Sequence, residues 1–233
     1  MPIAGKIARD IKAVAPEVEI AMGGVHPSAL PQRTLAEEAV DYVIVGEGFR
    51  AISQLVEAKK KREEVSQIPG LRWKVNQDHF SSAPPVAPEV DLSGYAWDLL
   101  EGGLDAYRAH DHHVFQDTDR IRSPYATIFT SLGCPFHCDF CVSPGFFGYD
   151  KVRSWSPETV VRWIDELVEK HGVRNIRIED EIFLLDLKRV EAICDMLIER
   201  NHDLNLWCYG RVKLYPRELL RKMKRAGFTW ICL

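Results

Sequence analysis

The stretch YATIFTSLGCPFHCDFC, residues 125–141, decides how the chain folds. Its first part, Tyr125 to Thr130, is short, β-branched and aromatic, which predicts a strand. Cys134, Cys138 and Cys141 follow at Cys-x-x-x-Cys-x-x-Cys spacing. The thiols therefore occupy a loop at a strand's carboxyl end, where α/β sheets and barrels place their ligands.

Toward the carboxyl terminus, Ser156-Pro157-Glu158 starts a helix: a serine cap, proline at the first helical position and an acid in the first turn. Val160, Val161, Ile164, Leu167 and Val168 form its apolar face, and Gly172 closes it. Asn175 to Ile178 predicts a strand that runs into Glu179-Asp180-Glu181. Asp186 caps a second helix, with Val190, Ile193, Cys194, Leu197 and Ile198 facing inward. Leu204 to Tyr209 predicts a strand followed by Gly210-Arg211, Pro216 to Ala226 a helix closed by Gly227, and Phe228 to Cys232 a further strand. The order from Tyr125 is β-α-β-α-β-α-β, which calls for parallel strands with right-handed crossovers, in a barrel or a doubly wound sheet.

Toward the amino terminus, Ile3, Ile7 and Ile11 recur every four residues and mark an amphipathic helix ending before Pro16. Val18, Ile20 and Met22 alternate as a strand, and Gly23-Gly24 lets the backbone turn tightly or a ligand approach closely. A short helix around Leu35 to Ala39, a buried strand from Tyr42 to Val45, Gly46-Glu47-Gly48 and a helix from Phe49 to Lys60 follow. This is again parallel α/β grammar. Between residues 63 and 123 the periodicity fades, and Pro84, Pro85 and Pro88 interrupt longer elements. Leu71 to Val75 and His79 to Ser82 predict a hairpin in this linker, and Trp97 to Leu100 an anchor onto a neighbouring domain.

Thiolates hold iron–sulfur clusters, and a four-iron cluster ordinarily takes four of them, so three leave one iron open. An open iron chelates a substrate or cofactor directly. Zinc is the alternative, with His137 or a linker histidine as fourth ligand, but structural zinc usually pairs Cys-x-x-Cys knuckles and no second pair exists. His110, His112 and His113 complete no recognised ligand spacing and read as solvated or substrate-facing. Cys194, Cys208 and Cys232 sit in apolar segments and read as core, so the six cysteines are not a disulfide framework.

The cysteine loop, with Phe140 before its last thiol, resembles the signature of the radical S-adenosylmethionine (SAM) superfamily. Gly133-Cys134-Pro135 and Phe146-Phe147-Gly148 are similar to its cobalamin-associated branch. Gly23-Gly24-Val25-His26-Pro27-Ser28 with Val40 to Gly48 resembles the carboxyl-terminal half of the cobalamin-binding domain that precedes many such enzymes. The resemblance implies a partial Rossmann-like cobalamin-binding domain over 1–62, a linker over 63–123 and an incomplete (β/α) TIM-type barrel over 124–233. It implies a [4Fe-4S] cluster on Cys134, Cys138 and Cys141, with SAM at the open iron cleaved to a 5′-deoxyadenosyl radical. Phe140, Asp180, Glu181 and Arg211 are the implied SAM contacts; surface ion pairing is the alternative for the acids, Glu179 included, and for Arg211. Gly23, Gly24, Gly46, Glu47 and Gly48 are the implied cobalamin contacts, and His26 is a hydrogen-bonded pocket histidine and not a cobalt ligand. Methyl transfer to an unactivated carbon or phosphorus is the implied reaction, with porphyrin-type cyclisation in the same branch. The expected partners are a small-molecule substrate and a reductant such as flavodoxin or ferredoxin. The chain is expected to be an internal piece of such an enzyme, with its activity in isolation left open; a truncated, non-catalytic zinc or iron–sulfur protein is the competing reading.

A chain of 233 residues, 46% apolar, suffices for one large or two small domains. No apolar run approaches the roughly 18 residues a membrane span needs, and no signal-peptide pattern opens the chain, so a cytoplasmic protein is expected. A net charge of −4 supplies no field to attract nucleic acid.

Overall fold

A computed structural model describes residues 2–75, 78–81, 94–107, 124–143 and 152–233. The described residues fall into two compact units, one holding 2–81 and 135–143, the other those from 94 to 134 and 152–233.

The first unit opens with α1 (Pro2–Val14), β1 (Ala21–Met22), α2 (Val25–Ala29), α3 (Pro31–Glu37), β2 (Tyr42–Ile44) and α4 (Phe49–Lys61). β3 (Leu71–Val75) and β4 (Asp78–Ser81) complete a sheet of order β1-β2-β3-β4. β1 and β2 are parallel, as their separation by helices requires, while the hairpin β3–β4 is antiparallel and pairs Tyr42 with Trp73 through Ile44 with Leu71. The predicted hairpin thus continues the first sheet. β2 is buried on both faces: Val43 packs with Ala8, Leu35 and Val40, whereas Tyr42 and Ile44 pack with Ala51, Leu55, Ala58, Ile68 and Leu71. Alternation along a strand sends neighbours to opposite faces, so three residues serve two small cores.

Three local expectations change here. α1 forms, but it packs through Gly5 and Ala8 and leaves Ile3 77% and Ile7 53% exposed. The Glu38 carboxylate lies 1.8 Å from where a Cβ on Gly5 would sit, and Arg9 and Lys12 pair with Glu38 and Asp41. β1 is shorter than the Val18–Met22 alternation predicts, because the Ile20 N–H donates to the Asp41 carboxylate and its carbonyl accepts from Asp41 and Tyr42. The helix expected around Leu35 to Ala39 runs from Pro31 to Glu37 and is preceded by α2.

The second unit comprises β5 (Tyr125–Ile128), β6 (Ser131–Leu132), β7 (Arg153–Ser154), α5 (Pro157–His171), β8 (Asn175–Ile178), α6 (Leu187–Arg200), β9 (Asn205–Tyr209), α7 (Arg217–Arg225) and β10 (Phe228–Cys232). β5, β8, β9 and β10 are all parallel and lie side by side in chain order. One core joins Val160, Ile164 and Leu167 of α5, Val190, Ile193 and Leu197 of α6 and Leu219 and Met223 of α7 to Ile128, Ile176, Ile178, Leu206 and Cys208 of the strands. All three helices therefore cover one face of the sheet. Of the two arrangements open to the sequence, this is the wall of a singly wound barrel; a doubly wound sheet carries helices on both faces. Among the described residues the sheet has four strands and does not close.

The helix ends are those the sequence predicts. The Thr159 N–H donates to Ser156 Oγ at 3.3 Å and Gly172 closes α5 with φ 65°, while the Arg189 N–H donates to Asp186 Oδ1 at 3.1 Å. Before β5, Tyr95 stacks on Trp97 at 4.8 Å and meets Trp163 edge-on at 5.3 Å. Trp97 and Leu100 pack onto the second core, as the expected anchor does, while Leu99 is exposed.

Candidate functional site

The Glu179 N–H donates to the Ile128 carbonyl at 2.8 Å, carrying the β5–β8 pairing one residue past the ladder. Beyond it the chain is held by side chains. The Phe129 N–H donates to Tyr95 Oη at 2.8 Å, and that hydroxyl donates to the Phe129 carbonyl at 3.0 Å. The Asp180 carboxylate accepts from the Thr130 N–H at 2.5 Å and from the Thr130 and Ser131 hydroxyls at 2.6 Å each. Arg189 donates to the Thr130 carbonyl at 2.6 Å and to the Trp155 carbonyl at 2.8 Å. Burial raises the Asp180 carboxyl and lowers the Arg189 guanidinium, and each charge opposes the other's shift.

β6 then pairs antiparallel with β7, Ser131 with Ser154 and Leu132 with Arg153, so the chain leaves and re-enters at one neck. Gly133 has φ 94°, which an L side chain rarely adopts, and turns the backbone directly into Cys134. None of the three cysteines is in a disulfide: Cys134 is buried, Cys138 half-buried and Cys141 exposed, and the Cys141 N–H donates to the Cys138 carbonyl at 2.9 Å. In donor chemistry they fit a thiolate-held cluster. Among the described residues, no three His, Cys, Asp or Glu side chains are gathered as a metal ion would require, so the fit lies in donor type and chain position.

Of the other expected SAM contacts, Phe140 is 92% exposed, Glu181 is exposed and Asp180 is fully buried. The Arg211 main chain is bonded on both sides to the Tyr215 hydroxyl. The geometry thus separates Asp180, which is saturated inside the protein, from Glu181 and Arg211 at the surface. In the first unit Gly23-Gly24 follows β1 and Gly46-Glu47-Gly48 follows β2, at the same end of two parallel strands. The Gly46 N–H donates to Ser28 Oγ of α2 at 2.9 Å, and Gly24 takes φ 111° to start α2, which also carries His26. His110, His112 and His113, with Phe146-Phe147-Gly148, lie outside the described residues.

A further group was missed from the sequence. Arg177 lies on the sheet face opposite the helices, with its guanidinium 4.0 Å from the Trp207 ring centre and 5.5 Å from that of Tyr209. It pairs with Glu179 and donates to the Tyr209 hydroxyl. Burial pushes the Glu179 carboxyl up against the pull of Arg177. In a barrel wall this face looks inward. The available signal was Arg177 standing between Ile176 and Ile178, a polar residue at the alternate position of a strand.

The sequence pattern of the Radical SAM superfamily matches residues 128–233, and that of the B12 binding domain matches residues 1–56. The two patterns match successive segments of the chain. The radical SAM match over residues 128–233 implies a [4Fe-4S] cluster and SAM as cofactors. Among curated proteins, an uncharacterized methyltransferase of Pyrococcus horikoshii is 31% identical over 95% of this chain and 46% of its own length. An anaerobic magnesium-protoporphyrin IX monomethyl ester cyclase of Synechocystis is 22% identical over 97% of this chain and 43% of its own. The chain therefore spans less than half the length of these relatives. The solved radical SAM methyltransferase TsrM from Kitasatospora setae has a similar fold, with TM-score 0.71 and 18% identity over 98% of this chain and 43% of that one. The B12-binding and radical SAM segments are both α/β in the present structure, and no helix among the described residues is long and apolar enough to cross a membrane.

Proposed function

We propose that this chain is the cofactor-carrying portion of a cobalamin-dependent radical SAM enzyme that transfers a methyl group to an unactivated centre of a small molecule. The observation that carries the reading is the three-thiol loop, inside the radical SAM match and free of disulfides, that follows β5, the first strand of a singly wound sheet. Cys134, Cys138 and Cys141 would hold the cluster and leave one iron for SAM. When bound, cluster and SAM supply an electron and a 5′-deoxyadenosyl radical, chemistry that belongs to the cofactors.

The chain's own residues bind, orient and exclude water. Glu181 and Arg211 are the groups assigned to the ammonium and carboxylate of SAM, since an exposed carboxylate and a guanidinium complement those charges. Phe140 offers an exposed ring for the adenine. Gly23, Gly24, Gly46, Glu47 and Gly48 are assigned to the cobalamin, where glycines let the backbone approach closely. The proposed division of the chain is 1–62 for cobalamin, 63–123 as linker and 124–233 for radical chemistry. A flavodoxin or ferredoxin in the cytoplasm is the proposed reductant. Cyclisation is the second reading, favoured by the magnesium-protoporphyrin cyclase that aligns over 97% of the chain.

Anaerobic reconstitution with iron and sulfide tests the site. About four irons per chain are expected, and single replacement of Cys134, Cys138 or Cys141 by alanine should remove them. Stoichiometric zinc in place of iron would support a non-catalytic metal-binding protein instead.

A further inference from the structure

Three consecutive residues ahead of the cysteine loop, Phe129, Thr130 and Ser131, are fixed by side chains from elsewhere: Tyr95, Asp180 and Arg189. Thr130 is used completely. Its N–H and hydroxyl donate to Asp180, and its carbonyl accepts from Arg189 and from the Trp155 N–H at 3.1 Å. Asp180 has no exposed surface, and three donors of its own chain occupy the carboxylate. A carboxylate in that state has little capacity left for an ammonium ion arriving from solvent. Glu181, its exposed neighbour in sequence, carries no such constraint.

The geometry points to Asp180 as a positioning residue that, with Arg189, locks Thr130 and Ser131 and so sets where Cys134 leaves the sheet. Its role is to hold the root of the cysteine loop, not to bind SAM. The antiparallel pair of Ser131 with Ser154 and Leu132 with Arg153 closes the neck, but two residue pairs make a weak ladder. The buried carboxylate supplies what the ladder lacks, since hydrogen bonds to a charged group are stronger than neutral ones. The inference rests on the proposed cluster site, because it gives the locked segment its purpose.

The test compares Asp180→Asn with Asp180→Ala. An asparagine oxygen still accepts from the Thr130 N–H, and its amide donates to the Thr130 and Ser131 hydroxyls, which turn round to accept. Alanine removes all three bonds. Amide hydrogen exchange on the metal-free chain should show Thr130 to Cys134 opening about tenfold or more faster in Asp180→Ala, the factor expected on losing one charge-assisted hydrogen bond, and near the wild-type rate in Asp180→Asn. After anaerobic reconstitution, Asp180→Ala should hold less iron and give an altered electron paramagnetic resonance signal, with Asp180→Asn matching wild type in both. Unchanged exchange in Asp180→Ala overturns the inference. So does equal weakening of SAM binding by both variants at full iron content, which would make the charge itself the SAM contact. If Asp180→Ala fails to fold, Thr130→Val keeps the side-chain shape and removes one donor; faster exchange at the same amides supports the lock, and wild-type exchange overturns it. A wild-type chain that takes up no iron would defeat the cluster reading, while the exchange comparison would still decide whether Asp180 fixes the neck.

Discussion

Whether a thiol reacts depends on how readily it ionises, and burial opposes ionisation. Burial pushes the Cys194 thiol up to about 12 and the Cys208 thiol higher still, so at pH 8 both stay protonated. An alkylating reagent applied to the metal-free chain at that pH should label the exposed Cys141 and spare Cys194 and Cys208 until the chain is unfolded; mass spectrometry of the labelled peptides checks this. Replacing Cys194 by alanine should cost packing, about 1 kcal/mol, and leave iron uptake intact, which separates it from Cys134, Cys138 and Cys141. The three thiols were legible in the sequence because their spacing is local. The sequence put Asp180 forward as a SAM contact and could not show it as the buried acceptor it is, because its partners Thr130 and Ser131 are 50 and 49 residues away. Only the β5–β8 register brings them together. Arg177 was missed for the same reason: its stacking partners Trp207 and Tyr209 lie on the next strand.

At the scale of elements, α5 shows why periodicity reads well in this chain. Val160, Val161, Ile164 and Leu167 have no exposed surface, and a Ser156 cap and a Gly172 stop bound the helix. Ile164→Ala should lower stability by about 2–5 kcal/mol, through lost burial and the cavity left behind, and Ser156→Ala by about 1 kcal/mol, through the freed Thr159 N–H; urea denaturation measures both. Elements were harder to read where small residues or polar side chains do the packing. Periodicity favours the isoleucines of α1, yet the helix docks through Gly5 and Ala8, with the Glu38 carboxylate lying where a Cβ on Gly5 would sit. β1 shrinks because Asp41 takes the Ile20 N–H that a longer ladder would use. Such exchanges between backbone and side-chain bonding leave no periodic trace.

For the whole molecule, the alternation of strands and helices left two sheet architectures open, and the common core of α5, α6 and α7 on one face decides for the singly wound one. That choice turns the other face, with Arg177, Glu179, Trp207 and Tyr209, toward what a barrel encloses. The same architecture puts the cysteine loop after β5 and the acidic Glu179-Asp180-Glu181 after β8 at the carboxyl ends of neighbouring strands. Two sequence segments with separate family matches, a three-thiol loop outside any disulfide and this face support the proposed radical SAM chemistry. The most direct measurement is 5′-deoxyadenosine formed when the reconstituted chain is reduced in the presence of SAM. The proposed radical SAM chemistry predicts 5′-deoxyadenosine from the wild-type chain and none from Cys138→Ala. A wild-type chain holding about four irons that binds SAM, accepts an electron and leaves SAM intact would contradict it.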